Sequence, residues 1–328
     1  MKLLTYALKN ETKQKVGFVS GEWIVDIHLA GVWLMEQGKE SDSYLNIPSS
    51  MKEILADWKT NLDQIREFEQ KLSSEDCSEI SVNGTAVAVR ESEIRFLPPV
   101  PEPPTFRDFY AFEQHVKAAR KSRGLDMHPT WYEIPVFYFS NPYCMVGHKE
   151  DVKLPAGSDA LDFELELGII IANGGSDISS ENAEKYIAGY TIINDWSARD
   201  LQKQEMVLNM GPVKGKDFAT TTGPYLVTPD ELADKWNDGK LEIEMKAWKN
   251  EKQLSHGNTD DLYHSWGKII ERASKNTRLM PGDLIGSGTV GTGCILELKP
   301  ENTDGWVQNG DTIKLEIERL GVLENKIV

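Results

Sequence analysis

The chain predicts a β-rich α+β fold, with a small α+β domain ahead of a larger, strand-dominated one. Three observations carry this expectation. From about residue 134 onward, short β-type runs dominate, at 134–139, 161–172, 187–194, 225–228, 241–248, 284–287, 294–298 and 312–317. The helical stretches among them (180–186, 197–207 and 260–274) are few and irregularly placed, which argues against a doubly wound sheet. Between the two parts, residues 97–104 (LPPVPEPP) hold five prolines in eight positions. Such a tract is a stiff, extended connector, and it divides the chain into residues 1–98 and 99–328.

Within the first part, the apolar bursts of residues 1–27 fold back around Ser20-Gly21-Glu22 as a hairpin. Residues 50–72 carry Ile54, Leu55, Trp58, Leu62, Ile65 and Phe68 at helical spacing. A strand pair over 79–96 surrounds Asn83-Gly84, a dipeptide suited to tight turns. After the proline tract, residues 109–123 read as a helix with Phe112, Val116 and Ala119 on one face.

The 328 residues carry a net charge of −16, which speaks against a nucleic-acid backbone or an anionic membrane as partner. Cys77, Cys144 and Cys294 are sparse, odd in number and form no C-x-x-C pair; they suit a reducing compartment and predict a cytoplasmic protein. The start, MKLLTYALKNETKQK, turns polar too soon for a signal peptide, and no apolar run approaches a membrane span.

The segment Asp162-Phe163-Glu164-Leu165-Glu166 puts three carboxylates on one face of an alternating strand, roughly 6–7 Å apart along it. An apolar run, Gly168-Ile169-Ile170-Ile171-Ala172, follows directly. Acids leading into a core strand repel one another and lose hydration unless a cation compensates them. Hard divalent ions take oxygen donors of this kind; a solvated strand face is the alternative.

Two familiar motifs fail. Residues 286–291 (GSGTVG) match G-x-G-x-x-G, but a dinucleotide site needs a following helix, and 294–298 reads as a strand. Residues 211–217 (GPVKGKD) are one position short for a P-loop and place Asp217 where Ser or Thr is required. Lys216 is left in a glycine-rich turn. Ahead of it, 192–202 (IINDWSARDLQ) reads as a strand ending in Asp195 and entering a helix, with Ser197 and Asp200 as a capping box. Arg199 and Gln202 share one face of that helix.

Taken together, 162–166, 194–202, 215–222 (GKDFATTT) and 286–289, with 107–115 (RDFYAFEQH), resemble the fumarylacetoacetate hydrolase family over about residues 100–320. The resemblance implies a fumarylacetoacetase-like mixed β-sandwich or roll. It also implies a divalent cation (Mg²⁺, Mn²⁺ or Ca²⁺) held by Asp108, Glu164, Glu166 and Asp195. Asp162 falls outside that set, as a support or a solvent-facing neighbour. His115 takes the place of the general base and Glu297 that of the glutamate, on a late strand, that orients it. Lys216, Arg199 and Gln202 would surround the reacting oxygen and the leaving carbanion, and Tyr110, Tyr138 and Thr289 would contact substrate. A lid arginine of the family falls at Gly124, with Arg120 and Arg123 nearby; with Lys117 and Lys121 they form a basic cluster suited to a dianionic substrate.

The activity implied is metal-dependent cleavage of a carbon–carbon bond in a β-diketo acid, fumarylacetoacetate or an acylpyruvate, by a homodimer. A decarboxylase or isomerase acting on oxaloacetate or an oxo-dienedioate is the alternative within the family. A catalytically silent metal-binding protein is the alternative outside it.

Overall fold

The computed structural model describes residues 1–38 and 42–328. The chain opens with β1 (Lys2–Leu8), β2 (Lys15–Ser20) and β3 (Trp23–Asp26), the last two joined by the hairpin expected at Gly21. Asp26 ends β3 and accepts from the Leu29 N–H at 3.0 Å, capping α1 (Ile27–Glu36). The helix expected over 50–72 is two helices, α2 (Met51–Ala56) and α3 (Trp58–Leu72). Asp57 leaves helical geometry between them. Asn83 and Gly84 both take positive φ, 49° and 79°, as a primed hairpin turn requires.

β4 (Ala88–Arg90) and β5 (Ile94–Phe96) close the segment before the prolines. β6 (Phe106–Phe109) follows, so the helix expected from 109 begins later, as α4 (Glu113–Ser122). The strand expected over 134–139 begins later, as β7 (Phe137–Ser140), after a helical turn, α5 (Thr130–Glu133). Next come β8 (Leu161–Asp162), β9 (Leu165–Ile171), β10 (Ile187–Asn194), α6 (Arg199–Met206) and β11 (Thr220–Val227). Residues 180–186 wind as a 3₁₀ helix. β12 (Glu244–Lys249), β13 (Lys252–Asn258), α7 (Trp266–Ser274), β14 (Leu284–Thr289), α8 (Ile295–Leu298), β15 (Thr312–Ile317) and β16 (Gly321–Lys326) complete the chain.

The large sheet runs β4-β3-β2-β1-β11-β10-β9-β14-β6-β7, while β12, β13, β15 and β16 make a second, four-stranded sheet. β1 lies antiparallel to β11, with Lys2 opposite Val227 and Leu3 opposite Leu226, so strands from both sides of the proline tract share one sheet. Alternation along β9 feeds two cores. Leu165, Leu167, Ile169 and Ile171 pack toward α7 and the second sheet. Ile170 packs toward α1, α2 and α3. Each fully buried Leu or Ile contributes about 1.5–3 kcal/mol, which makes β9 a rigid rail for the acids at its start. No helix among the described residues is long and apolar enough to cross a membrane.

One expectation fails with consequence for the site. Residues 294–298 form a single helical turn, α8, instead of a strand. Its first two N–H groups, of Ile295 and Leu296, donate to the Asp162 carboxylate at 2.7 and 3.0 Å. A carboxylate there satisfies donors that a helix start leaves open. Glu297, expected on a late strand, therefore stands on a helical turn.

Candidate active site

Strands delivered in register bring the acids together. Asp108 on β6 lies opposite Gly286 on β14, and Glu166 on β9 lies opposite Thr289 of the same strand. A Cβ at position 286 would stand 2.9 Å from Glu166 Oε2 and closer still to Asp108 Oδ1. The missing side chain is what gives the two carboxyls their space. Asp195 arrives just past the end of β10, fully buried.

Asp108, Glu166 and Asp195 each present an oxygen within 4.8 Å of the others. Asp108 Oδ1, Glu166 Oε2 and Asp195 Oδ1 are buried without a hydrogen-bond partner. Burial, and then the neighbouring negative charges, push the Asp108 and Glu166 carboxyls well above the usual range. Burial raises Asp195 as well, against the pull of Lys216. Three buried acids with unpartnered oxygens close to one another form a donor set that fits a hard divalent cation. A cation's charge would reverse each of these shifts.

The fourth expected ligand, Glu164, stands beside this trio with its oxygens already engaged. Arg199 Nη2 donates to Oε1 at 2.7 Å, and the Lys216 ammonium bonds Oε2. Burial would raise its carboxyl, but Lys216 and Arg199 outweigh burial and hold it below the ordinary range. The Glu164 N–H is itself fixed by Asn194 Oδ1 at 2.9 Å. Lys216 also reaches Asp195 Oδ2 at 2.6 Å. Burial disfavours its charge, yet Asp195 and Glu164 keep it an ammonium. Gly215 lets this turn approach α6: a Cβ there would lie 2.7 Å from the Gln202 backbone nitrogen.

Arg199 spends its donors inside the protein, on Asp162 Oδ2 (2.8 Å), Glu164 Oε1 and Gln202 Oε1 (3.1 Å). Asp162 is fully buried, so of its two expected roles the solvent-facing one is excluded. The Ser197–Asp200 capping box does not form. Ser197 Oγ donates to the Asp195 carbonyl, and Asp200 accepts from Ser158 Oγ and the N–H groups of Asp159 and Leu201. α6 starts one residue later than a Ser197 cap requires, with Ala198 at the cap, and Asp200 braces the 158–159 turn instead.

His115 and Glu297, 182 positions apart, meet through Nδ1 and Oε1 at 2.6 Å. Glu297 Oε2 accepts from the Thr292 N–H at 3.1 Å, so the acid is held at both oxygens. The Tyr110 ring stands edge-on to the imidazole, with centroids 5.4 Å apart. Cys294 Sγ lies 3.6 Å from Glu297 Oε1. His115, Cys294 and Glu297 also offer metal-type donors within 4.8 Å of one another. Here the imidazole and carboxylate are bonded to each other and the carboxylate to Thr292, and burial pushes the thiol well up. That group is an imidazole held in place by a carboxylate that is itself anchored. His115 is near enough to Glu164 to help hold its carboxyl low, and Glu164 and Asp195 share Lys216.

Of the expected substrate contacts, Tyr138 donates its hydroxyl to Asp195 Oδ2 and Thr289 donates to Glu166 Oε1 at 3.4 Å. Burial pushes the Tyr110 phenol up to about 12, with Arg123 and Arg120 close enough to oppose the rise. Lys117 instead pairs with Glu113 on the exposed face of α4. Gly124, φ 70°, follows the end of that helix, and a Cβ there would meet open space. Sequence reasoning overlooked Gly286 as the cradle of two acids, although the residue sits within the rejected G-x-G-x-x-G. It also overlooked Asn194 as the anchor of Glu164.

Comparisons with known proteins bear on the family and the fold. The family model described as fumarylacetoacetate hydrolase, C-terminal, matches residues 105–328. A fumarylacetoacetase of Arabidopsis thaliana is 30% identical over 267 residues, 63% of each chain. The oxaloacetate tautomerase YisK of Bacillus subtilis is 32% identical over 197 residues, 60% of this chain and 62% of its own. The matches thus span less than two thirds of these relatives' length. Among solved structures, a fumarylacetoacetate hydrolase from Exiguobacterium antarcticum superimposes with a TM-score of 0.68 at 24% identity, covering 100% and 99% of the two chains. A maleylpyruvate hydrolase from Sphingobium sp. SYK-6, solved with manganese(II) and pyruvate, gives 0.67 at 22% over the same shares. At these identities the structural likeness concerns the fold.

Proposed function

This chain belongs to the fumarylacetoacetate hydrolase family, and on that premise we propose that it hydrolyses a carbon–carbon bond in a β-diketo acid. Fumarylacetoacetate and acylpyruvates are the leading substrates. The observation that carries the reading is the buried His115–Glu297 pair standing beside acids whose inward oxygens have no partner. Asp108, Glu166 and Asp195, with Glu164 alongside, would hold Mg²⁺, Mn²⁺ or Ca²⁺. Such an ion polarises the oxygens of a 1,3-dioxo compound and offsets the charge of a departing enolate.

The chain's own groups do the rest. Glu297 holds the Nδ1 side of His115, leaving Nε2 to take a proton from water. The water oxygen bonds to the carbonyl carbon of the acyl group. The adjacent carbon–carbon bond then breaks, and its electron pair leaves as an enolate that is protonated to a methyl ketone or keto acid. Lys216 supplies fixed positive charge toward the developing anion, with Arg199 and Gln202 behind it; one such donor contributes roughly 3–4 kcal/mol. Tyr110, near Arg120 and Arg123, would face the substrate's far carboxylate, and Tyr138 and Thr289 would line the end next to the acids.

The same reading takes residues 1–98 as a small amino-terminal domain before a catalytic one at 99–328; the family match beginning at residue 105 supports that division. It places the enzyme in the cytoplasm as a homodimer, in keeping with three free cysteines. Two relatives named oxaloacetate tautomerases, at 32% and 31% identity, favour a second reading. In it, the same acids and Lys216 serve enolate chemistry on oxaloacetate, tautomerisation or decarboxylation, without an activated water.

The test is a panel of β-diketo acids and oxaloacetate, assayed after chelation and reloading with Mg²⁺, Mn²⁺ or Ca²⁺. Cleavage of a β-diketo acid is expected, lost in His115→Ala while that variant keeps its metal-induced thermal shift. Near-normal cleavage by His115→Ala sinks the base. Activity on oxaloacetate alone, indifferent to His115, establishes the second reading.

A further inference from the structure

Asp162 lies outside the acidic trio and outside the base pair, yet it is fully buried and touches the supports of both. Oδ1 accepts from the Ile295 N–H at 2.7 Å; Oδ2 accepts from the Leu296 N–H at 3.0 Å and from Arg199 Nε at 2.8 Å. The two N–H groups begin α8, the turn that carries Glu297 to His115. The guanidinium continues to Glu164, whose other oxygen binds Lys216, and Lys216 binds Asp195. A series of charge-assisted contacts therefore runs from the imidazole side of the site to the acid side, and Asp162 joins it to α8.

α8 needs such a joint. A four-residue turn nucleates poorly by itself. The residue that follows it, Lys299, sits at φ 69°, a conformation non-glycine side chains rarely adopt. The Leu161–Asp162 strand adds a second hold, pairing with Ser197–Ala198 directly before Arg199. A carboxylate that caps the turn and grips Arg199 with the same group fixes the distance between the two halves of the site.

We propose that Asp162 is a positioning residue: it sets α8, and through Glu297 the orientation of His115, against the acidic cluster. The inference rests on the reading of His115 and Glu297 as base and orienting acid. Asp162→Asn keeps the shape but swaps one acceptor for a donor facing Arg199 or the α8 N–H groups. The first readout is the low-field proton resonance of the 2.6 Å His115–Glu297 hydrogen bond in the Mg²⁺-loaded protein, assigned by its loss in His115→Gln. Short charge-assisted bonds of this type are strong and geometry-dependent. The resonance is expected to vanish or shift upfield in Asp162→Asn, while the Mg²⁺-induced thermal shift persists. Turnover is expected to fall roughly 10–100-fold with little change in KM, the size of effect an ångström-scale misplacement produces.

A second pair of variants isolates the joint should Asp162→Asn fold poorly. Ile295→Ala loses packing but keeps the N–H, whereas Ile295→Pro also removes the N–H, at the first helical position where proline is tolerated. The proline variant is expected to lose the resonance and the alanine variant to retain it. An unchanged resonance in Asp162→Asn, or equal behaviour of the Ile295 pair, overturns the proposal. If the resonance responds as expected but the wild type cleaves no β-diketo acid, the positioning role stands and the proposed function falls.

Discussion

Replacing Asp108 by asparagine should make the metal-free protein more stable and the metal-loaded one less stable than wild type. Asp108 Oδ1, Glu166 Oε2 and Asp195 Oδ1 are buried and unpartnered. Each such atom costs on the order of 1–3 kcal/mol, so the cluster burdens the metal-free fold. Asp108→Asn removes one of three mutually repelling acids, and its amide can donate to a neighbouring carboxylate. A gain of about 1–3 kcal/mol follows, or about 2–4 °C in Tm per kcal/mol for a chain somewhat shorter than this one. Metal reverses the order: at roughly a thousandfold excess over Kd, a bound ion stabilises wild type by about 4.1 kcal/mol, more than the variant's gain, and the variant forgoes most of that. Calorimetric melting in chelator and in Mn²⁺ reads both arms. A variant that melts below wild type in chelator, or that gains as much from Mn²⁺, would refute the reasoning.

Gly286→Ala should abolish the Mn²⁺-induced thermal shift, because its Cβ takes the space between Asp108 and Glu166; an undiminished shift counts against the cradle. A third prediction concerns acid. Burial, the largest influence, with Lys149 adding to it and Glu91 opposing, pulls His148 down from an ordinary 6.5 to about 4. The unfolded chain therefore takes up a proton at a pH where the folded one does not. The stabilisation is full above 6.5 and is lost as pH falls toward 4, by roughly 3 kcal/mol in total and about 2 kcal/mol by pH 5. Urea unfolding at pH 7.5 and pH 5 should show this loss in wild type and little of it in His148→Gln; equal losses in both remove His148 as the cause.

How much of this was legible depends on the range of the interaction. The tract 165–171 reads as a strand because its apolar run is unbroken, and the hairpins at Gly21 and Gly84 read from residues that tolerate positive φ. Residues 294–298 misread because Cys-Ile-Leu-Glu-Leu favours a strand locally. What turns it into a helix is a carboxylate more than a hundred positions earlier, which no local pattern reports. Ser197 and Asp200 have the spacing of a capping box, but each found a better partner, on the Asp195 carbonyl and on the turn at 158–159. The 162–166 alternation located the acids but not their fates. Asp162 went to Arg199 and α8, Glu164 to two cations, and only Glu166 to the trio. His115 and Glu297 were found through several motifs agreeing in order, since nothing in either residue's own neighbourhood announces the other.

The pairing of β1 with β11 has a practical side. A shortened protein cut at the proline tract would remove Lys2–Leu8 and bare the Leu226–Val227 end of β11 on that side of the sheet. Bare borders of that kind recruit other chains and precipitate. A biochemist wanting the catalytic portion alone would do better to retain the first hundred residues, or to supply them as a separate fragment that can dock along that border.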